Sequence, residues 1–163
     1  MPRSGPDAAV TLSVLDRLID TEPRNGSEAP LTRAQSVRML RDGVRRDLEW
    51  LLNTRQVAVP PPEGLRELHR SVYVYGLPDF SGYNLGVAAA ETRLTRHLQA
   101  ALKFFEPRLA RVRVVPAEAV EAKTRTFRFR IEALLMMDPA PEHISFDTVL
   151  QLTTNQYEVQ NAG

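Results

Sequence analysis

Three carboxylates, Glu106, Asp79 and Glu91, are the groups from which hydrolytic chemistry would have to be built. Glycoside hydrolysis needs two acids at a fixed separation, one acting as acid and the other as base or nucleophile. No spacing in the sequence brings any two of these three into one cleft. The histidines His69, His97 and His143 are far apart and show no ligand-like spacing. There is no cysteine, so thiolate metal sites, cysteine nucleophiles and disulfides are excluded. No serine stands in a nucleophile elbow, and the glycines form no phosphate-cradling loop. The residues therefore predict no enzyme, no metal and no cofactor.

One of these acids is oddly placed all the same. "FFEPRL" (104–109) ends a helical run with an acid, a proline and an arginine. A helix C-terminus carries partial negative charge, so Glu106 sits where a carboxylate is least welcome. Pro107 cannot continue the helix and restricts the residue before it to extended geometry. Helix stability thus accounts for Pro107 and leaves Glu106 unexplained. Two readings stay open: an internal pair with a core arginine, or a partner contact in which Glu106, Pro107 and Arg108 form a rigid corner.

The elements that position this corner follow from periodicity. Residues 10–153 read as one domain between loose tails at 1–9 and 154–163. Leu12, Leu15, Leu18 and Ile19 have the spacing of a short amphipathic helix. "TEPRNGSEAP" (21–30) reads as a linker. A long helix is expected from Leu31 to about Thr54, with Val37, Leu40, Val44, Leu48 and Leu51 as a buried stripe. Met39, Gly43, Arg46 and Trp50 make a second stripe on its other side, to be covered by the N-terminal helix or by a partner. "VAVPPPEG" (57–64) must end that element. "LRELHRSV" (65–72) is expected to be a short helix and "YGLPDFSGYN" (75–84) a long turn. A second long helix is expected from about Val87 to Phe105, with Leu94, Leu98, Ala101, Leu102 and Phe105 inward.

Three strands close the chain, at about Leu109–Val115, Thr124–Met136 and Ile144–Thr153. In the middle one Phe127, Phe129, Ile131, Ala133 and Leu135 share a face, opposite Arg128, Arg130 and Glu132. The predicted class is α+β, with N-terminal helices on one face of a three-stranded antiparallel sheet. As the last strand, Ile144–Thr153 is expected at the sheet edge, where its outer main-chain groups would be free to pair with a partner. Its alternation places Ile144, Phe146 and Leu150 inward.

Composition narrows the partners. Lys+Arg 21 against Asp+Glu 20 leaves a net charge of +1, so no global field calls for nucleic acid. Arg111, Arg113, Arg128 and Arg130 could form a basic patch on the open sheet face. The neighbouring Phe127 and Phe129 have the wrong parity to stack on bases, and Glu132 and Asp147 interrupt the patch. No run approaches the roughly 20 apolar residues of a membrane span, so no direct membrane insertion is expected. The N-terminus lacks the apolar core of a signal peptide, so a cytoplasmic protein is the expectation.

Four stretches together resemble one family. "RDLEWLLNTR" (46–55), "SVYVYGLPDF" (71–80), "FFEPRL" and "ISFDTVL" (144–150) occur in the order and spacing of TssE. TssE is the type VI secretion baseplate component, similar to the wedge protein at the end of contractile phage tails. The resemblance covers about residues 12–152. It implies a structural subunit assembled with the wedge subunits TssF and TssG, in a baseplate docked at the inner membrane complex. It further implies that the Glu106-Pro107-Arg108 motif contacts the partner helices. The C-terminal sheet would template the first ring of sheath subunits (TssB/TssC) by strand exchange, and the edge residues expected there are Ile144, Phe146, Thr148, Val149 and Leu150. Met39, Arg46 and Trp50 form a possible second partner face. The alternatives from other classes are a lysozyme-like glycosidase and a small nucleic-acid-binding module.

Overall fold

The computed structural model describes residues 8–19, 23, 24, 26, 29–80, 88–117 and 126–162. The chain runs α1 (Val14–Leu18), α2 (Arg33–Asn53), two short 3-10 turns (Leu68–Arg70 and Val72–Val74), α3 (Ala88–Phe105) and β1 (Leu109–Pro116), then β2 (Thr126–Leu135), β3 (Glu142–Gln151) and β4 (Gln156–Asn161). The strands form one antiparallel sheet in the order β1-β2-β3-β4. The class is α+β as the patterns predict.

The helix α2 begins with a capping box. The Thr32 side chain accepts from the Gln35 N–H while the Gln35 side chain accepts from the Thr32 N–H, which satisfies two of the first orphan donors. Its predicted stripe of Leu40, Val44, Leu48 and Leu51 is buried, with Val37 half-buried at the margin. On α3, Leu94, Leu98 and Leu102 are fully buried. These two stripes meet Phe127, Phe129, Ile131, Phe146 and Leu150 from the inner sheet face in one core. The helix α3 lies against β1 and α2 against β4, so each helix covers one margin of the sheet.

The expected short helix at 65–72 is replaced by the two 3-10 turns, which carry the chain to Gly76. There Gln56 N–H donates to Leu77 C=O, and Leu77 N–H to Thr54 C=O, both at 2.9 Å. Gly76 has a φ of 104°, and a Cβ at this position would collide with the Thr54 carbonyl. Only glycine fits a left-handed backbone pressed against another strand of chain.

Two expectations are corrected. The sheet has four strands, not three, because Gln156–Asn161 adds to β3 where a loose tail was expected. Tyr157 and Val159 alternate inward and are buried, and Asn155 takes the left-handed turn conformation (φ 55°) that asparagine tolerates better than most residues. Consequently β3, and with it Ile144, Phe146, Thr148, Val149 and Leu150, lies inside the sheet between β2 and β4. It is not the edge.

The second correction concerns α1. It has five residues, and Leu15, Leu18 and Ile19 are exposed, with only the preceding Leu12 buried. The segment docks through polar groups instead. Val10 N–H donates to Ser36 Oγ at 2.9 Å, and Ala8 C=O accepts from Arg33. Of the 1–9 tail, residues 1–7 lie outside the described residues, as do parts of the 21–30 linker, the end of the 75–84 turn, Val87, and the expected start of the middle strand at Thr124 and Arg125.

Candidate functional site

Glu106 ends α3 and its side chain turns inward, where the residue is 5% exposed. Its backbone keeps the helical bond to Leu102 C=O, and its own carbonyl accepts from Leu109 N–H as the chain enters β1. Arg108, two residues on, returns over the same turn. Its Nε donates to Glu106 Oε1 at 2.6 Å and its Nη2 to Glu106 Oε2 at 2.5 Å. This planar fork neutralises the acid at the helix end, and charge-assisted bonds of this kind outweigh a helix-dipole cost of about 0.3–1 kcal/mol. The glutamate is therefore explained within the chain, by an internal pair.

The pair continues into a network. Arg108 Nη2 also donates to Asp47 Oδ2 at 2.6 Å. Asp47 Oδ1 accepts from Arg46 Nε and Nη2, and Arg46 Nη1 reaches Asp16 Oδ1 at 2.8 Å. Asp16 closes the line by accepting from the Ser13 hydroxyl. Three acids and two arginines thus tie the N-terminal segment, the second half of α2 and the α3–β1 corner together. Gly43 makes the approach possible, since a Cβ there would stand 2.8 Å from Asp16 Oδ2. This is the use of the glycine in the second stripe of α2. The N-terminal segment covers that stripe at Gly43 and Arg46, while Met39 and Trp50 stay exposed, Trp50 at 53%.

The charges are set by these contacts. Arg108 is held well above the usual guanidinium value, first by its bond to Glu106, against the opposing effect of burial, and then by Asp47. Burial pushes the Asp16 carboxyl up, but the Ser13 hydroxyl and the Arg46 guanidinium together reverse this and leave it below the usual carboxylate value. Beside the network lies an open depression of about 400 Å³ lined by Leu15, Trp50, Tyr75, Phe105 and Pro107 among others. The Arg46 guanidinium sits 5.1 Å from the centre of the Trp50 ring, and Tyr75 meets Phe105 edge-on at 5.1 Å. Pro107 is exposed, and the Arg108 side chain is 24% exposed. The corner thus presents a fixed charged rim around an aromatic hollow, a surface suited to docking.

As acid chemistry the arrangement is poor. Both Glu106 oxygens accept from Arg108, and the nearest acid of the network, Asp47, shares the same arginine. Asp79 lies elsewhere, exposed, near Arg55 and Asn155, and Glu91 is at the far end of α3. Among the described residues no group of His, Cys, Asp and Glu is arranged to hold a metal ion, and no helix is long and apolar enough to cross a membrane. On the outer sheet face Arg130 pairs with Asp147 at 2.7 Å, while Phe127 and Phe129 are buried on the other side.

The pattern of the sequence picked out the Glu106–Arg108 corner but not Asp47 or Asp16, which complete it. Asp47 lies inside "RDLEWLLNTR", where an acid next to an arginine reads as an ordinary solvated pair. Asp16 offers no signal except its helical offset from Ser13.

Residues 38–140 match the family described as baseplate wedge protein gp25, and that span holds most of α2 and the whole Glu106–Arg108 corner. The chain is 30% identical over 112 residues to the anti-adapter protein IraD of Escherichia coli strain UTI89 / UPEC, covering 69% of this chain and 76% of the relative. The same figures hold for IraD of E. coli O6:H1 strain CFT073. A chain from a solved structure of the baseplate complex of the type VI secretion system aligns over 77% of this chain and 97% of its own length, at 19% identity and a TM-score of 0.48. The TssE-like reading of the motifs agrees with the match that spans most of the chain: this protein belongs to the gp25 baseplate wedge family.

Proposed function

We propose that this chain is a structural baseplate subunit of a type VI secretion machine. In this reading it works in the cytoplasm, in a baseplate docked at the inner membrane complex. It joins wedge subunits of the TssF and TssG kind through the Glu106-Pro107-Arg108 corner, and its C-terminal sheet templates the first sheath subunits (TssB/TssC). The observation that carries the reading is the family match, which includes this corner. The geometry supports it, because the ion network holds Pro107 and Arg108 rigidly beside the hollow rimmed by Trp50 and Leu15. Rigid display lowers the ordering cost of binding. Since β3 is internal, the strand-exchange role passes to β4, the last strand of the sheet.

The test is affinity purification from cells with native levels of the protein. Recovery of the wedge subunits, lost on Trp50→Ala in a folded protein, is the expected result. The IraD likeness favours a second reading, an anti-adapter, whose partner would be an adapter protein. Recovery of such a partner without any baseplate subunit would replace the first reading with the second.

A further inference from the structure

Between α2 and Leu77 the chain makes a long excursion that adds almost nothing to the core. Its two ends are pinned together by the bonds among Thr54, Gln56 and Leu77, and from Val57 to Gly76 it holds only the two 3-10 turns. Connections longer than about 12–15 residues are uncommon in compact domains and are usually functional. This one carries Val57, Val59, Leu65 and Val72 exposed, Val59 at 65%. Single exposed apolar residues are ordinary, but four on one excursion are an apolar surface that the domain itself leaves uncovered.

The first half of the excursion is stiff. Val59, Pro60 and Pro61 each precede a proline, which drives all three into extended backbone, and the rings fix φ at Pro60, Pro61 and Pro62. The segment is therefore a short polyproline II arm, and no helix or strand is formed over it. Both of its ends are held. Tyr73 Oη donates to Val59 C=O at 3.2 Å. At the far end Leu65 N–H donates to Pro62 C=O at 3.3 Å, with Gly64 at a φ of 94°, which is the type II turn pattern. Pro60 and Pro62 are exposed and Pro61 is half-buried.

The same residues decide what kind of partner fits. A strand cannot add along this arm, because three successive residues have no N–H and the Val59 carbonyl is already engaged. A helix is forbidden by the prolines. Recognition by charge has no single sign to read, since Glu63 and Glu67 alternate with Arg66 and Arg70. What remains is the apolar faces of the proline and valine side chains, with the Pro60 and Pro61 carbonyls, which accept no bond among the described residues. Aromatic rings that pack on prolines, with Trp N–H or Tyr O–H groups to meet such carbonyls, are the complement of a polyproline II arm.

We propose that Val57–Leu65 is a docking arm for a partner protein whose groove is lined by aromatic side chains. The arm is preformed, so little ordering cost falls on binding. It does not rest on the baseplate reading or on the Glu106–Arg108 corner.

The experiment places the photo-crosslinking amino acid benzoylphenylalanine at Val59 and, as a control, at the sheet residue Val115, in the full chain at native levels. Crosslinking is carried out in fresh lysate with two competitors, the peptide QVAVPPPEGLR (56–66) and its counterpart with alanine for the three prolines. The expected result is a crosslink from Val59 and not from Val115, mapping to a Trp-, Tyr- or Phe-lined groove of another protein. The native peptide should suppress it at a concentration about tenfold or more below that of the alanine peptide, the scale of three lost proline constraints. The full chain with Pro60→Ala/Pro61→Ala/Pro62→Ala, shown to be folded by circular dichroism, should lose the crosslink to a similar degree, and Trp50→Ala should leave it unchanged. The arm is overturned by the absence of a crosslink, by equal suppression with the alanine peptide, or by a crosslink to a helix, a strand edge or a second copy of this chain. A crosslink lost with Trp50→Ala would belong to the corner's interface and would equally overturn a separate docking arm.

Discussion

Arg108 is the residue on which most of the corner depends. Its removal strands Glu106, nearly buried, and leaves Asp47, a quarter exposed, with Arg46 as its remaining cation. Losing one partner of a buried pair costs about 3–5 kcal/mol, and the partial exposure of Arg108 and Asp47 brings the expectation for Arg108→Ala down to about 2–3 kcal/mol. Denaturant unfolding should show this as a lower midpoint at unchanged slope. Asp16 yields a second prediction. Its folded pKa lies below the ordinary value, so the stability it contributes is complete above the usual carboxylate range, about pH 4, and is lost as the pH falls through the lower folded value. Trp50, which stacks on the same Arg46, is the sole tryptophan and can report the release. Acid titration of its emission should show a transition below about pH 4 that Asp16→Asn abolishes.

Among the elements, the Thr54–Leu77 junction is the most sharply specified. Gly76→Ala meets both a left-handed φ and the Thr54 carbonyl, so a cost of at least about 2 kcal/mol is expected in thermal melts. The elements also show how far periodicity can be read. The two long helices and the inward set of β2 fall where the 3.6 and 2.0 repeats place them, because burial enforces those repeats. α1 breaks the rule: its leucines repeat correctly, yet Asp16 takes the inner position, since two arginines wait there and the sequence spacing carries no trace of them. β4 escaped notice for the opposite reason. Its inward side chains, Tyr157 and Val159, are only two, and a two-member alternation flanked by Asn and Gln cannot be told from a polar tail. The candidate site was half legible: Glu106 and Arg108 stand out because proline fixes them at a helix end, whereas Asp47, the partner of Arg108, lies some sixty residues away, and Asp16 joins the network only through Arg46.

At the scale of the whole molecule, the ion network and the bonds from Asn53 and Arg45 to β4 both converge on α2. The hollow beside the network contains apolar rings and charges that already satisfy one another, which is what the docking role proposed above requires. Purified protein incubated with peptidoglycan is expected to release no muropeptides above buffer. Release that disappears on Glu106→Gln would show catalysis instead.

The bonds between α2 and β4 join residues 104, 114 and 119 positions apart in the chain. During synthesis α2 leaves the ribosome long before the strand that will lie along it. Until Tyr157 and Val159 arrive, β3 is an open margin and the inner face beside Phe129 lacks its last ring. The chain must therefore wait for its distal residues before its largest core can close, and contacts of such long range slow folding. Nascent chains that stall before this point would be the ones that most need a chaperone.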